Sequence, residues 1–174
     1  MKSLSISVLA LVMTTGAALA DGKMNDLEIA HTAYTAGQLD IRYAHLALAV
    51  SENDAVRKFA ETMLRDHGVV NRQAGKLMVQ LKVTPQDNDL SRALVKGAAE
   101  KRAELKGLTG KAFDCAYAKN ELGYHQIVNK TVAEQFIPSV TVEPLKDLLK
   151  DALATFRAHE KHAEHMVASL SCQS

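Results

Sequence analysis

The chain has 174 residues with 21 basic and 20 acidic side chains, and 47% of its residues are hydrophobic. This near balance of charge gives no electrostatic reason to expect a nucleic acid or an anionic membrane surface as a partner. The length suits one domain with a substantial core, and the three prolines, the absence of Trp and the abundance of Ala, Leu, Lys and Glu favour helices.

The first 20 residues, MKSLSISVLALVMTTGAALA, have the pattern of a secretory signal peptide. Lys2 precedes an apolar stretch from Ile6 to Met13, and the segment closes with Ala-Leu-Ala, a small-x-small cleavage site. The apolar stretch is too short to span a bilayer comfortably. We therefore expect residues 1–20 to be removed and residues 21–174 to form a single exported domain. Its expected location is the periplasm, with association with the outer membrane as an option.

Four long amphipathic segments follow in chain order, at about residues 26–50, 54–81, 110–136 and 144–170. A possible short surface helix lies between the second and the third. The links within each pair of long helices are short, which predicts two antiparallel hairpins, whereas about 25 residues separate the pairs. The sequence thus predicts an all-α, ferritin-like four-helix bundle whose long connection between helices two and three crosses the bundle lengthwise.

Each long helix carries one polar residue near its midpoint on an otherwise apolar stripe. A helix rises about 1.5 Å per residue, so depth in the bundle can be counted from the helix ends. This count places Asp40, His67, His125 and His159 at one level, and Glu121 lies one turn before His125. We expect these five side chains to converge inside the bundle.

The segment FRAHEKHAEH in the last helix contains three histidines at intervals of three residues. Residues three apart on a helix are displaced by about 60°, so the three rings cannot all point at one inward ion. His159 belongs to the apolar stripe, His162 lies at its edge and His165 is expected to face solvent.

Three imidazoles and a carboxylate suit a zinc, iron, manganese or copper ion. Met63 with His67, and His162 with Met166, are pairs of ligand-type residues spaced four apart on a helix, and they keep copper among the candidate ions. The alternative is a metal-free layer of hydrogen-bonded histidines and carboxylates in an envelope or stress-related protein that binds a partner. The Glu-x-x-His motif of di-iron proteins is absent, because Leu64 and Phe156 stand three residues before His67 and His159. The sequence therefore assigns no catalytic residue and leans against an enzyme.

Cys115 and Cys172 are the two cysteines of the chain. In an oxidising compartment such a pair favours a disulfide over a catalytic thiol. Depth counting brings both to the same end of the bundle with a mismatch of several residues, so the tail after Leu170 would have to fold back. Of the nearby carboxylates, Asp114 is interpreted as structural. Asp66, beside His67, is interpreted as exposed, with the alternative that it orients a metal ligand.

Four segments in order, AGQLDIRYAHLAL, VRKFAETMLRDH, LTGKAFDCAYAKNELGYH and LATFRAHEKHAEHM, resemble an exported bacterial family known as domain of unknown function 4142. The resemblance covers about Asp26 to Met166, and its members are assigned to the ferritin-like superfamily and to the periplasm or outer membrane. It implies the same fold and location and no settled activity. Where that family commonly has glutamate on the first helix, this chain has the shorter Asp40.

Overall fold

The structure, a computed structural model, describes residues 23–172 and is entirely helical between its turns. The predicted signal peptide lies outside the described residues. The helices are α1 (Asp26–Val50), α2 (Asp54–Leu81), α3 (Asp89–Lys106), α4 (Gly110–Thr131), a π-helical segment (Val132–Phe136), α5 (Ile137–Ser139) and α6 (Glu143–Ser169). Within residues 23–172, no helix combines the length and the apolar character needed to cross a membrane.

Asparagine side chains begin the first three helices. Asn25 accepts backbone hydrogen bonds from the first turn of α1 and forms a capping box with Glu28. The Asn53 side chain accepts backbone hydrogen bonds from the first turn of α2, and Asn88 forms a capping box with Ser91 at the start of α3. Each cap satisfies backbone N–H groups that have no partner within the helix, which fixes where the helix begins.

The four long helices form two antiparallel pairs, α1 with α2 and α4 with α6, and the pairs meet where α1 contacts α4 and α2 contacts α6. At one end, Asp26 accepts hydrogen bonds from Thr141 and Val142, which joins the start of α1 to the turn before α6. At the other end, Ser51 donates a hydrogen bond to Asp114, which ties the α1–α2 turn to the first turn of α4.

Helix α3 is the lengthwise crossover between the two pairs. Its cap Asn88 donates hydrogen bonds to the Thr32 hydroxyl and the Glu28 carbonyl, near the start of α1. Leu105, near the other end of α3, is fully buried in a cluster with Ala47, near the end of α1. Helix α3 therefore runs parallel to α1, and the predicted four-helix bundle with a long crossover is confirmed.

The apolar core of the described chain falls into two clusters with a polar layer between them. One cluster fills the end that holds the α1–α2 turn and contains Phe59, Tyr117 and Met166. The other fills the opposite end and contains Ile29 and Leu149. Helices α1, α2, α4 and α6 each pass from one cluster to the other at the depth of the central polar residue.

The sequence pattern predicted that the third long helix stays α-helical to Phe136. In the structure, the α-helix ends at Thr131. The helix widens at Val132–Phe136, where the N–H of Ile137 donates to the carbonyl of Val132, five residues earlier. The widening lies directly before Pro138, whose ring nitrogen has no hydrogen to donate and which disfavours a regular helical turn in front of it. Val132 and Phe136 stay buried through this change.

The last turn of α6 reverses the chain direction. Ser171 adopts a left-handed backbone with φ of 49°, and the N–H of Cys172 bonds back to the carbonyl of Val167. This reversal brings Cys172 to the first turns of α4, where it forms a disulfide with Cys115 at a Cα–Cα distance of 5.4 Å. The bond closes a loop across a sequence separation of 57 residues.

Removal of this disulfide is expected to lower the free energy of unfolding by about 2–4 kcal/mol, because the bond restricts the unfolded chain. Urea unfolding of the oxidised protein, compared with the Cys115→Ser/Cys172→Ser variant, measures the effect. Equal unfolding midpoints would contradict it, as would two free thiols titrated in the unfolded, non-reduced protein.

Candidate metal centre

The structure brings together the five side chains that the sequence placed at mid-bundle. Asp40 comes from α1, His67 from α2, Glu121 and His125 from α4, and His159 from α6. Asp40 and Glu121 are completely buried, and each histidine is at most 3% exposed. One ligand atom from each of the three histidines lies within 4.8 Å of the others, and the same holds for Asp40, Glu121 and His125. His125 therefore joins the two groups.

Asp40 lies closest to two of the imidazoles. Its Oδ2 atom is 3.4 Å from Nε2 of His67 and 3.5 Å from Nε2 of His125. Two ligand atoms bound at about 2.1 Å to a tetrahedral ion are about 3.4 Å apart. Each of these two distances equals the separation of two ligands around a four-coordinate ion, and the shorter side chain of aspartate does not keep helix α1 out of the centre.

The protonation of His125 is fixed by its own helix. Nδ1 is 2.9 Å from the carbonyl oxygen of Glu121, which can only accept, so this nitrogen carries the hydrogen and donates it. Nε2 is left with its lone pair and faces Asp40 and His67. A ligating histidine commonly donates its second nitrogen to a carbonyl in this way, which orients the ring.

His159 is oriented by a residue that the sequence interpretation assigned to solvent. Nε2 of His159 donates to Oδ2 of Asp66 at 2.9 Å, and the Asp66 side chain is only 23% exposed. The preferred interpretation of Asp66 as exposed was wrong, and the alternative, that it orients a metal ligand, agrees with this hydrogen bond. The reason is that α2 packs against α6 and the residue before His67 faces that neighbouring helix. The predicted bundle topology could have indicated this position, because Asp66 lies on the side of α2 that faces α6. The hydrogen bond leaves Nδ1 of His159 free to coordinate.

Glu121 lies beside the imidazoles on the α4 side. Its Oε2 atom is 3.8 Å from Nδ1 of His125, and Asn120 donates to Oε1 at 3.4 Å. Tyr117, one turn earlier on α4, has a fully buried hydroxyl group, and the sequence analysis did not single it out. Both carboxylates influence this phenol: burial, followed by Glu121 and Asp40, raises the pKa of Tyr117.

The centre contains an unusual number of buried polar atoms that have no hydrogen-bond partner among residues 23–172. They are Oδ1 and Oδ2 of Asp40, Nδ1 and Nε2 of His67, Oε2 of Glu121, Nε2 of His125 and Nδ1 of His159. A buried polar group without a partner costs about 1–3 kcal/mol, so native proteins satisfy nearly all of them. A cation at the point where these atoms converge would satisfy several at once.

Burial keeps the metal-free centre close to electrically neutral. It raises the pKa of Asp40 from 3.8 to about 8, and burial with the neighbouring Asp40 raises the pKa of Glu121 well above 4.5. Burial lowers the pKa of His125 to about 4 and, with the other two histidines, lowers that of His67 well below 6.5. The histidines are therefore neutral at pH 7, the form that coordinates metals, whereas Asp40 holds a proton in most molecules.

Comparison with known proteins gives the family. The model of the family described as Domain of unknown function (DUF4142) matches residues 12–166. The chain belongs to this family. The DUF4142 match includes all five residues of the centre and ends before Cys172. No curated protein and no solved structure matches the chain.

Proposed function

We propose that this DUF4142 protein is an exported four-helix bundle that binds a divalent transition-metal ion at its centre. Asp40, His67, His125 and His159 are the proposed ligands, with Glu121 as a fifth ligand or as an orienting partner of His125. The convergence of buried, unpartnered ligand atoms from all four long helices carries the proposal. Placement in the periplasm is supported by the Cys115–Cys172 disulfide, since such bonds persist in oxidising compartments.

The ligand chemistry narrows the choice of ion. Calcium and magnesium prefer sites made of oxygen atoms, whereas three neutral imidazoles with one or two carboxylates suit zinc, iron, manganese or copper. The 3.4 and 3.5 Å spacings around Asp40 match a four-coordinate ion such as zinc. The hydrogen bonds from His125 to a carbonyl and from His159 to Asp66 would hold two rings in place before the ion binds.

Thermal unfolding of the untagged, metal-free protein with each ion tests the proposal. An ion that binds only the folded state raises the melting temperature by mass action, and 100-fold excess over the dissociation constant adds about 2.7 kcal/mol of stability. We expect at least one of zinc, copper, manganese and iron(II) to raise the melting temperature, with magnesium as the inactive control. A melting curve indifferent to all four transition metals would refute the metal function and favour a metal-free, partner-binding protein.

A further inference from the structure

A small, almost entirely apolar pocket lies beside the metal centre, between α1, α3 and α4. Its volume is about 70 Å³. The buried end is formed by His67, His125 and Phe156, and the outer end by Leu94 and Ile127. Ile127 is 66% exposed, so this end lies at the protein surface.

Small residues and the π-helical segment create this space. Ala33, Ala36 and Gly37 line the pocket along α1, and Val132 and Phe136 of the π-helical segment line it from the α4 side. A π-helical turn inside an α-helix is rare and is frequently found at a functional site. Here it changes the course of the helix at the wall of the pocket.

The size and lining of the pocket define the class of molecule that fits. One water needs about 10–15 Å³ and two to four polar partners, so the pocket has space for more than one small molecule but few groups to bind water. The hydroxyl of Thr32, one of the few polar groups in the lining, is already bonded to Asn88. Apolar cavities of this kind stay dry and accept neutral apolar guests.

The pocket and the metal centre share two side chains. His67 and His125 line the pocket, and their Nε2 atoms are the ones that lie 3.4 and 3.5 Å from Oδ2 of Asp40. A guest at the buried end would therefore contact the rings of two proposed metal ligands. The other three residues of the centre do not line the pocket.

We propose that this pocket admits a small neutral apolar molecule, of the class of diatomic gases such as dioxygen or nitric oxide, to the His67 and His125 side of the centre. The guest enters between α3 and α4, past Ile127, and comes to lie against the two imidazoles. The role of the guest as a metal ligand rests on the proposed function, whereas the pocket itself is present without an ion.

Xenon is the probe for the pocket, and the metal-free protein is the sample. We expect dissolved xenon to shift the ring-proton resonances of His67 and His125. Ala33→Leu fills the pocket from α1 and Val128→Phe fills it from α4; both residues line the pocket and neither is a proposed ligand. Both variants are expected to lose the xenon-induced shifts. Ala49→Leu, at an exposed position of the same helix α1, is the matched control and should keep them.

Nitric oxide bound to the iron(II)-loaded protein tests the connection to the centre, with electron paramagnetic resonance as the readout. We expect Ala33→Leu and Val128→Phe to weaken the nitrosyl signal while Ala49→Leu retains it. Unchanged ring resonances in wild-type protein under xenon would contradict the binding of an apolar guest in the pocket. Equal nitrosyl signals in all variants would contradict the pocket as the path to the metal centre. Xenon binding in a protein whose melting temperature responds to none of the four transition metals would uphold the pocket and refute the proposed function, so the two failures are distinguishable.

Discussion

The double variant His67→Leu/His125→Leu is expected to lose metal binding and the metal-dependent rise in melting temperature. Loss of one residue that merely orients a metal ligand costs about 10- to 100-fold in affinity, so loss of two ligands should exceed 100-fold. These two histidines provide the nitrogens that lie 3.4 and 3.5 Å from Asp40. Calorimetric titration and the melting curve with and without the ion measure both effects.

The same double variant should be at least as stable as the wild type when no metal is present. The ring nitrogens of His67 and Nε2 of His125 are buried without partners, and each such atom costs about 1–3 kcal/mol. Leucine has a similar size and no polar atom to satisfy, so the apolar pair can replace the two rings without a loss of stability.

The matched control is His45→Leu/His165→Leu, which makes the same chemical change at two exposed positions. This control should keep the wild-type affinity and thermal shift. Retention of the full shift in His67→Leu/His125→Leu would place the ion elsewhere. A lower melting temperature of that variant without metal would show that the histidines stabilise the bundle by themselves.

The architecture was predictable because the length of each helix, the position of its apolar stripe and the length of each connection can be estimated from the sequence. Because the connection crosses the bundle lengthwise, the third long helix starts at the end that holds the α1–α2 turn. Counted from that end, the central residues of the four long helices lie at one depth: Asp40, His67, His125 and His159. Rise per residue alone then determines which side chains share a layer. The lengthwise crossing of the long connection was expected, but the packing of α3 against α1 through Asn88 and Leu105 was not.

Other features depend on contacts between helices that periodicity does not encode. The apolar spacing of α2 in the sequence continues through Val70 and Leu77, which are only half-buried in the structure, whereas Asn71 and Met78 are buried. Gly37 explains part of this difference, since a Cβ there would lie 2.5 Å from the Asn71 amide oxygen. The two helices approach closely at this point, and a close approach decides which side chain of a stripe is covered.

The expected pH dependence also changes once burial is known. Model imidazoles protonate near pH 6.5, and the sequence alone predicts that metal affinity falls below about pH 6 as they do. Burial lowers the pKa of His125 to about 4, so its ring remains neutral well below that pH in the folded protein. The group that holds a proton near pH 7 is instead Asp40, and burial shifts the pKa of Glu121 in the same direction.

Metal binding at pH 7 is therefore expected to release about one proton for each ion, from Asp40. The pKa of Asp40 is about 8 in the metal-free protein, so most molecules carry a proton there at pH 7, and a coordinating carboxylate must lose it. Because protons compete with the ion, the apparent affinity should rise about tenfold per pH unit between pH 6 and 7.5 for each proton released. The rise should flatten above about pH 8, where Asp40 is already ionised.

Calorimetric titrations in two buffers with different enthalpies of ionisation count these protons. Asp40→Asn should reduce the count by about one at pH 7, because the amide has no proton to lose in that range. Asp66→Asn is the matched control: partial burial raises the pKa of Asp66, but hydrogen bonds from Arg65 and His159 outweigh it and lower the pKa. Asp66 is thus ionised at pH 7 before metal binds, and its variant should keep the wild-type count while losing affinity. Release that is absent at pH 7 and appears only below pH 6 would identify the histidines as the source of the protons and contradict the assignment to Asp40.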